Sequence, residues 1–300
     1  MGDNPLVNRS YLSRLLRSRS LHLTRLRGQN FLVDRNILTK IVEAGEIAPS
    51  DLVLEIGAGA GTLTLELAAR AAWVKAVEVD HGLAKLLREV TSSLDNVEII
   101  PADFLKLDLA FELSPGSFPV PGEGAVKVIA NPPYSIGGEI LIKLLYFSGN
   151  LERMILTLPK DVGARVVSPP GGKDYGLLSV FAGMFSRPEI LFPVSRWCFF
   201  PVPKVDSVAI RFKIVPGGRY RLADPVLWKT VVKAAFGGRR KTLKNALAAL
   251  SSLGYTTSLV LQACRLAEID PGSRAETIPV EGFARLSDAL SELSGVKTDG

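Results

Sequence analysis

The segment Glu55-Ile56-Gly57-Ala58-Gly59-Ala60-Gly61 constrains this chain more than any other. A short buried strand is read over Leu52–Ile56, running into it, and a helical pattern over 62–70 leads out. Glycine at every second position lets the backbone take positive φ and pass close to whatever lies against the turn. Strand and helix patterns then keep alternating. Residues 74–79 read as a second buried strand, and Asp80 reads as the N-cap of a helix carrying Leu83, Leu86 and Leu87. Val97–Ile100 and Val126–Ala130 read as third and fourth strands. Alternation of this kind predicts a parallel sheet covered by helices on both faces, an α/β fold.

The flanks extend the pattern. Ile37, Leu38, Ile41 and Val42 have helical spacing between Asp34, a plausible N-cap, and Gly45. A helix is expected from beyond Tyr134 to about Phe147, and strands over 154–158 and 205–214. Pro216-Gly217-Gly218 marks a boundary. Beyond it only helices are expected, over 225–236, 239–250, 258–266 and 280–290. The predicted organisation is a basic N-terminal arm (1–27), an α/β domain (28–217) and a small helical domain (218–300).

Spacing decides what the glycine turn can hold. A dinucleotide fingerprint needs G-x-G-x-x-G/A. Counted from Gly57 the last position falls on Thr62, and counted from Gly59 on Thr64, so a NAD-dependent oxidoreductase is disfavoured. The acid-x-G-x-G-x-G pattern instead resembles the S-adenosylmethionine (SAM) motif of class I methyltransferases. Gly57 and Gly59 would lie against the cofactor. Glu78, ending the second strand, could hold both ribose hydroxyls at the carboxyl edge of the sheet, where such folds bind ligands. Asp103, after the third strand, could accept from the adenine amine of the cofactor, with Phe104 beside the ring. Asp80 fits a helix cap better than a ligand.

Asn131-Pro132-Pro133-Tyr134 follows the fourth strand and is the most specific motif in the chain. It resembles the [DNS]-P-P-[YFW] motif of methyltransferases that modify amino groups conjugated to a planar ring. Such an amine is a weak nucleophile because its lone pair is delocalised. It needs acceptors for its hydrogens more than it needs a strong base. The Asn131 side-chain oxygen and the Pro132 carbonyl can supply them, and Tyr134 would stack on the base.

Together with several further segments, these residues resemble the KsgA (RsmA-type) family of small-subunit rRNA adenine dimethyltransferases, from about Arg25 to Leu290. Gly28-Gln29-Asn30-Phe31-Leu32-Val33-Asp34 looks like its opening motif, which implies SAM contacts for Gln29, Asn30 and Leu32. Phe199-Phe200-Pro201-Val202-Pro203-Lys204-Val205-Asp206-Ser207 matches its F-x-P-x-P-K-V-x-S segment, which implies that Phe199 closes the other face of the target adenine. Lys173-Asp174-Tyr175-Gly176 and Arg239-Arg240-Lys241-Thr242-Leu243 resemble its loop after the fifth strand and its basic helix. The resemblance implies a class I SAM-dependent methyltransferase sheet with a C-terminal helical RNA-binding domain. It also implies a substrate of two adjacent adenines near the 3′ end of small-subunit rRNA, in a pre-30S-type particle. Three positions depart from the family: Pro132 where Leu or Ile is usual, Ala58 where Pro is common, and Pro159 where Gln is usual.

Charge agrees with a polyanionic partner: 36 Lys and Arg stand against 30 Asp and Glu, for a net charge of +6. Residues 9–27 contain Arg9, Arg14, Arg17, Arg19, Arg25 and Arg27 and no acid, and Arg239, Arg240, Lys241 and Lys244 form a second cluster. By the resemblance, Arg25, Arg27, Lys173 and that second cluster grip RNA phosphates. The N-terminal run also fits a transit peptide. Cys198 and Cys264 lack metal-ligand spacing and suit a reducing compartment, so no metal and a cytoplasmic location are expected. No apolar run reaches membrane-spanning length, and a monomer is expected. The rival readings are an Erm-type large-subunit rRNA methyltransferase, a DNA adenine methyltransferase and a non-catalytic ribosome-assembly factor.

Overall fold

Capped helices follow apolar strands along most of the chain in a computed structural model, which describes residues 4–21, 29–119, 126–238 and 240–295. The elements run α1 (Arg9–Ser18), β1 (Phe31–Leu32), α2 (Arg35–Ala44), β2 (Leu52–Ile56), α3 (Thr62–Ala68), β3 (Trp73–Val77) and α4 (His81–Val90). There follow β4 (Val97–Ile100), α5 (Leu109–Glu112), β5 (Val126–Ala130), α6 (Gly137–Tyr146), β6 (Leu151–Pro159), α7 (Lys160–Val167) and α8 (Leu177–Phe185). The remainder are β7 (Ser186–Val194), β8 (Phe199–Phe200), β9 (Ser207–Ile214), α9 (Pro225–Ala235), α10 (Leu243–Leu247), α11 (Thr257–Leu266) and α12 (Val280–Leu293).

The main sheet has seven strands in the order β4-β3-β2-β5-β6-β9-β7. Strands β2 to β6 pair in parallel, and β9 runs antiparallel to β6. Strand order reverses between β2 and β5, so their carboxyl ends diverge around a crevice, the ligand position of an open α/β sheet. Register brings the strand ends level: Ile56 pairs with Val77, Val77 with Ile100, and Ala130 with Leu156. The sheet is held from one side by Leu38, Ile41 and Val42 of α2 and by Leu63 and Leu67 of α3, all buried against Val53, Val74, Ile129 and Ile155. A separate two-stranded pairing matters more for the site. β1 runs antiparallel to β8, with Phe31 opposite Phe200 and Leu32 opposite Phe199, which brings residues 29–32 to the 199–207 segment.

Part of the expected N-terminal arm is ordered structure. Asn8 caps α1, whose Leu12 and Leu16 lie one turn apart and are buried with Leu6, Phe31, Leu83 and Leu86. Its arginines occupy the remaining faces, so charge dominates the composition of an amphipathic helix.

Contacts divide the chain into two compact units, 1–163 with 187–216, and 164–186 with 217–300. The second unit takes in 164–186 along with the C-terminal helices, where the sequence placed a single boundary at 217. Packing explains the difference: Trp228 of α9 is fully buried, 4.9 Å from the Phe181 ring and 5.5 Å from the Phe185 ring of α8. The Tyr175 hydroxyl donates to the Ile278 carbonyl at 2.9 Å, fixing the loop before α8 to the same unit. The helix expected over 239–250 is a correction. Its α-helical part starts only at Leu243, because the Leu243 and Lys244 amides donate to the Ser273 and Pro271 carbonyls, and it passes into a 3-10 turn at Ala248. Arg240 and Lys241 therefore stand in the turn before the helix.

Candidate active site

At the strand ends of the first unit lies a cleft with a cavity volume of about 70 Å³. Gln29, Asn30, Gly57, Gly59, Glu78, Asp103, Phe104 and Asn131 all line it. These residues come from five separate segments of the chain: four follow the strands β2, β3, β4 and β5, and Gln29-Asn30 lead into β1. Gly57 and Gly59 follow β2 with φ of +74° and +59°. A Cβ on Gly57 would lie 3.2 Å from Pro133 Cδ, and one on Gly59 only 2.5 Å from the Phe31 ring. The turn therefore depends on glycine twice, for its φ and for the close approach of two neighbouring segments. Leu32 is buried beside the cleft and lines a second, deeper recess.

Glu78 is oriented by the backbone. Its Oε2 accepts from the Gly59 amide at 2.8 Å and its Oε1 from the Asp80 amide at 2.9 Å. Each carboxylate oxygen keeps lone-pair capacity after one such bond, so the group stays able to accept two hydroxyls. Burial raises its pKa, opposed by those amides. Asp80 caps α4 through the Gly82 and Leu83 amides, as the sequence suggests. Asp103 accepts from the Leu105 amide at 3.0 Å and so opens the short turn carrying Phe104.

Asn131 is held by one end. Its Nδ2 donates to the Asn30 carbonyl at 2.7 Å, while its buried Oδ1 has no hydrogen-bond partner. Buried polar atoms are nearly always paired, so an unpaired acceptor in a ligand cleft marks a place for a donor. Pro132 is buried next to it. The Tyr134 hydroxyl shares a hydrogen bond with Ser207 Oγ. Burial outweighs that bond and pushes the phenol up to about 12, so it stays neutral.

The expected two-ring sandwich is not what the structure contains. Tyr134 and Phe199 do meet, with centroids 6.2 Å apart, but their planes stand at 83°. A base between two rings needs them face to face. Phe199 has no exposed surface, because its pairing opposite Leu32 turns the ring into the core with Leu32 and Leu38. Phe199 therefore supports Tyr134 edge-on.

Three features escaped the sequence. Lys143 of α6 donates to the Phe104, Leu105 and Leu107 carbonyls at 3.0, 2.7 and 2.7 Å, clamping the Asp103 turn. A lone lysine within the apolar α6 was the available signal. Ile136 and Ile140 form an apolar wall of the cleft. The deeper recess, with a cavity volume of about 30 Å³, is lined by Glu55, Thr62, Thr157 and Asn131, each with a buried unpaired oxygen. Burial pushes the Glu55 carboxyl up to about 8, helped by Glu78 and opposed by Thr64.

Among the basic residues expected to hold RNA, Lys173, Arg240, Lys241 and Lys244 are exposed in the second unit. Arg25, Arg27 and Arg239 lie outside the described residues.

The donor set fits SAM chemically: close backbone for the amino-acid end, a carboxylate for ribose hydroxyls, and an apolar slot ending in Asp103 for a purine. Sheet order, glycine turn and cleft together define a class I methyltransferase. The ribosomal RNA adenine dimethylase family matches residues 23–292, and this chain belongs to it. The chain is similar to ribosomal RNA small subunit methyltransferase A of Pelotomaculum thermopropionicum, 43% identical over 89% of this chain and 91% of that one. The Moorella thermoacetica protein of the same name is 41% identical over 92% and 95%. Among solved structures, the 23S rRNA methyltransferase ErmE superimposes with a TM-score of 0.58 at 29% identity, over 87% of this chain and all of that one. A dimethyladenosine transferase from Plasmodium falciparum shares the fold, with a TM-score of 0.63 at 23% identity over 84% and 94%.

Proposed function

We propose that this chain dimethylates N6 of two adjacent adenines near the 3′ end of small-subunit rRNA, using SAM. The observation that carries the reading is the buried, unpaired Oδ1 of Asn131, a residue that lines the cleft and is held through its Nδ2 by Asn30. The cofactor supplies a methyl group already activated on a sulfonium. The chain's residues hold and align the reactants. Gln29, Asn30, Gly57 and Gly59 hold the cofactor's amino-acid end, Glu78 its ribose, and Asp103 with Phe104 its adenine, with Leu32 backing that surface. Asn131 Oδ1 and the Pro132 carbonyl accept the hydrogens of the target amine and favour a pyramidal nitrogen with its lone pair aimed at the methyl. Tyr134, backed by Phe199, offers a stacking face to a base drawn out of its helix. Alignment of this kind can supply on the order of 7–11 kcal/mol.

Arg25, Arg27, Lys173, Arg239, Arg240, Lys241 and Lys244 hold phosphates of a pre-30S-type particle. A monomer working in the cytoplasm, where such particles mature, is part of the proposal. None of the helices is long and apolar enough to cross a membrane, among the described residues. Identities of 43% and 41% to small-subunit enzymes, against 29% to ErmE, favour the small subunit over the Erm alternative.

The test uses undermethylated small and large subunits, labelled SAM and nucleoside analysis of the digested RNA. Dimethyladenosine in small-subunit RNA is expected. Label confined to large-subunit RNA would establish the Erm reading, and tight particle binding with no transfer would establish an assembly factor.

A further inference from the structure

Trp197 is the most exposed large apolar side chain among the described residues, at 69%. Of the other two tryptophans, Trp228 is fully buried and Trp73 is partly covered. An isolated exposed apolar residue is ordinary, so the setting of this one carries the argument.

The backbone on both sides of Trp197 is fixed. Arg196 before it is latched by its amide and Nε to Asp206 Oδ1 at 3.0 and 3.2 Å, and by Nη1 to the Lys204 carbonyl at 3.0 Å. The Cys198 carbonyl after it accepts from the Val33 amide at 2.8 Å. Arg9 of α1 reaches across to the Trp197 and Phe199 carbonyls at 3.4 and 2.9 Å. The indole thus stands out from a pinned turn, two residues before Phe199, whose ring backs Tyr134. A mobile loop would carry an exposed ring without consequence. A pinned one presents a flat, pre-organised face.

Basic side chains predominate around that face, although Asp34 lies beside Cys198 and Asp161 follows Lys160. Arg9, Lys160 and Lys204 are exposed, and Arg14 and Arg17 continue the basic side of α1, which has no acid in its first turn. Asp206, the acid of the turn, is occupied by Arg196. Aromatic faces interleaved with cations bind unpaired nucleic-acid strands, because every base has a face to stack and every step has a phosphate to neutralise.

We propose that Trp197 is a stacking platform for an unpaired base of the RNA strand next to the target adenine, with Arg9, Lys204 and Lys160 on the flanking phosphates. The inference rests on the RNA substrate proposed above. It adds a second base-binding position outside the catalytic cleft, which would keep the strand in place while one adenine and then its neighbour enters.

The experiment uses the full chain and a synthetic RNA hairpin with two adjacent adenines in its loop. Titrating the hairpin without SAM should quench tryptophan emission in the wild type, and the quench should be lost in Trp197→Phe. With SAM, Trp197→Ala should raise KM for the hairpin about 5- to 150-fold, the range of one base–aromatic stack. Trp197→Phe should stay within about 3-fold, since a smaller ring still stacks, and SAM affinity should not change in either. A wild-type KM in Trp197→Ala, or equal rises in the Phe and Ala variants, would overturn the platform. So would quenching by a ribosomal protein in place of RNA. Absence of transfer to any RNA by the wild type would instead count against the proposed function, and the binding titration would still judge Trp197.

Discussion

Asn131 has two polar ends with opposite situations, and that asymmetry makes it testable. Its nitrogen is tied to the Asn30 carbonyl and its oxygen is buried without a partner. Asn131→Ala should lower kcat by at least about 10²-fold, the scale on which losing one aligned polar group is felt in a transition state. SAM affinity measured by calorimetry should fall much less, and near-normal turnover would remove Asn131 from the mechanism. Glu55 makes a different prediction. Its folded pKa, about 8, lies above the ordinary 4.5 because burial disfavours the carboxylate. The folded state therefore holds a proton that the unfolded chain releases. The stability tied to that proton is fully present below pH 4.5 and is lost as pH rises towards about 8. Glu55→Gln keeps the shape and cannot ionise, so its denaturation midpoint should fall less steeply across that window than the wild-type one. Parallel slopes for the two proteins would show that Glu55 is ionised in the fold.

Elements show which parts of the molecule could be read from sequence. Parallel strands such as β2 and β5 are buried on both faces and appear as apolar runs broken by one charged residue each, Glu55 and Lys127, and their helices announce themselves by caps such as Asp34 and Asp80. Gly57, Gly59, Glu78, Asp103 and Asn131 could be picked out for the same reason, since each lies just beyond the end of such a strand, whereas Gln29 and Asn30 came only from the family resemblance. β1 and β8 were not legible, because two residues per strand carry no period and their pairing spans the length of the first unit. That pairing turns Phe199 inward, a direction no local pattern encodes. α1 was hidden by its arginines, and α8 by an apolar run that suits strand or helix equally. Lys143 shows the same limit within the site: its role depends on where α6 passes the Asp103 turn. Lys143→Met keeps most of the aliphatic stem and removes the donor to three carbonyls. Freed of that clamp, the turn should hold the cofactor about 10-fold less tightly, equivalent to ~1.4 kcal/mol. An unchanged Kd for SAM would show that Asp103 and Phe104 are held by the rest of the fold.

At the scale of the whole chain, the net charge of +6 is small for 300 residues, and its placement matters more than its size. The first unit contains the cleft and the basic face of α1, and the second contains exposed Lys173, Arg240, Lys241 and Lys244. Chemistry and long-range attraction can therefore be separated by mutation. A cation that touches only phosphate releases counterions on binding, and each such contact adds to the steepness with which RNA affinity falls with salt. Lys241→Gln and Lys244→Gln should each lower the magnitude of the slope of log K against log salt by about 0.7 to 1, with similar loss for any RNA sequence. SAM affinity and kcat at saturating RNA should stay at wild-type values, because neither lysine lines the cofactor cleft. Asn131→Ala should show the reverse, an unchanged salt slope with lost turnover. If the lysine variants kept the full slope, the RNA path would bypass α10 and its preceding turn, and the exposed arginines of α1 would have to supply the phosphate contacts of both units.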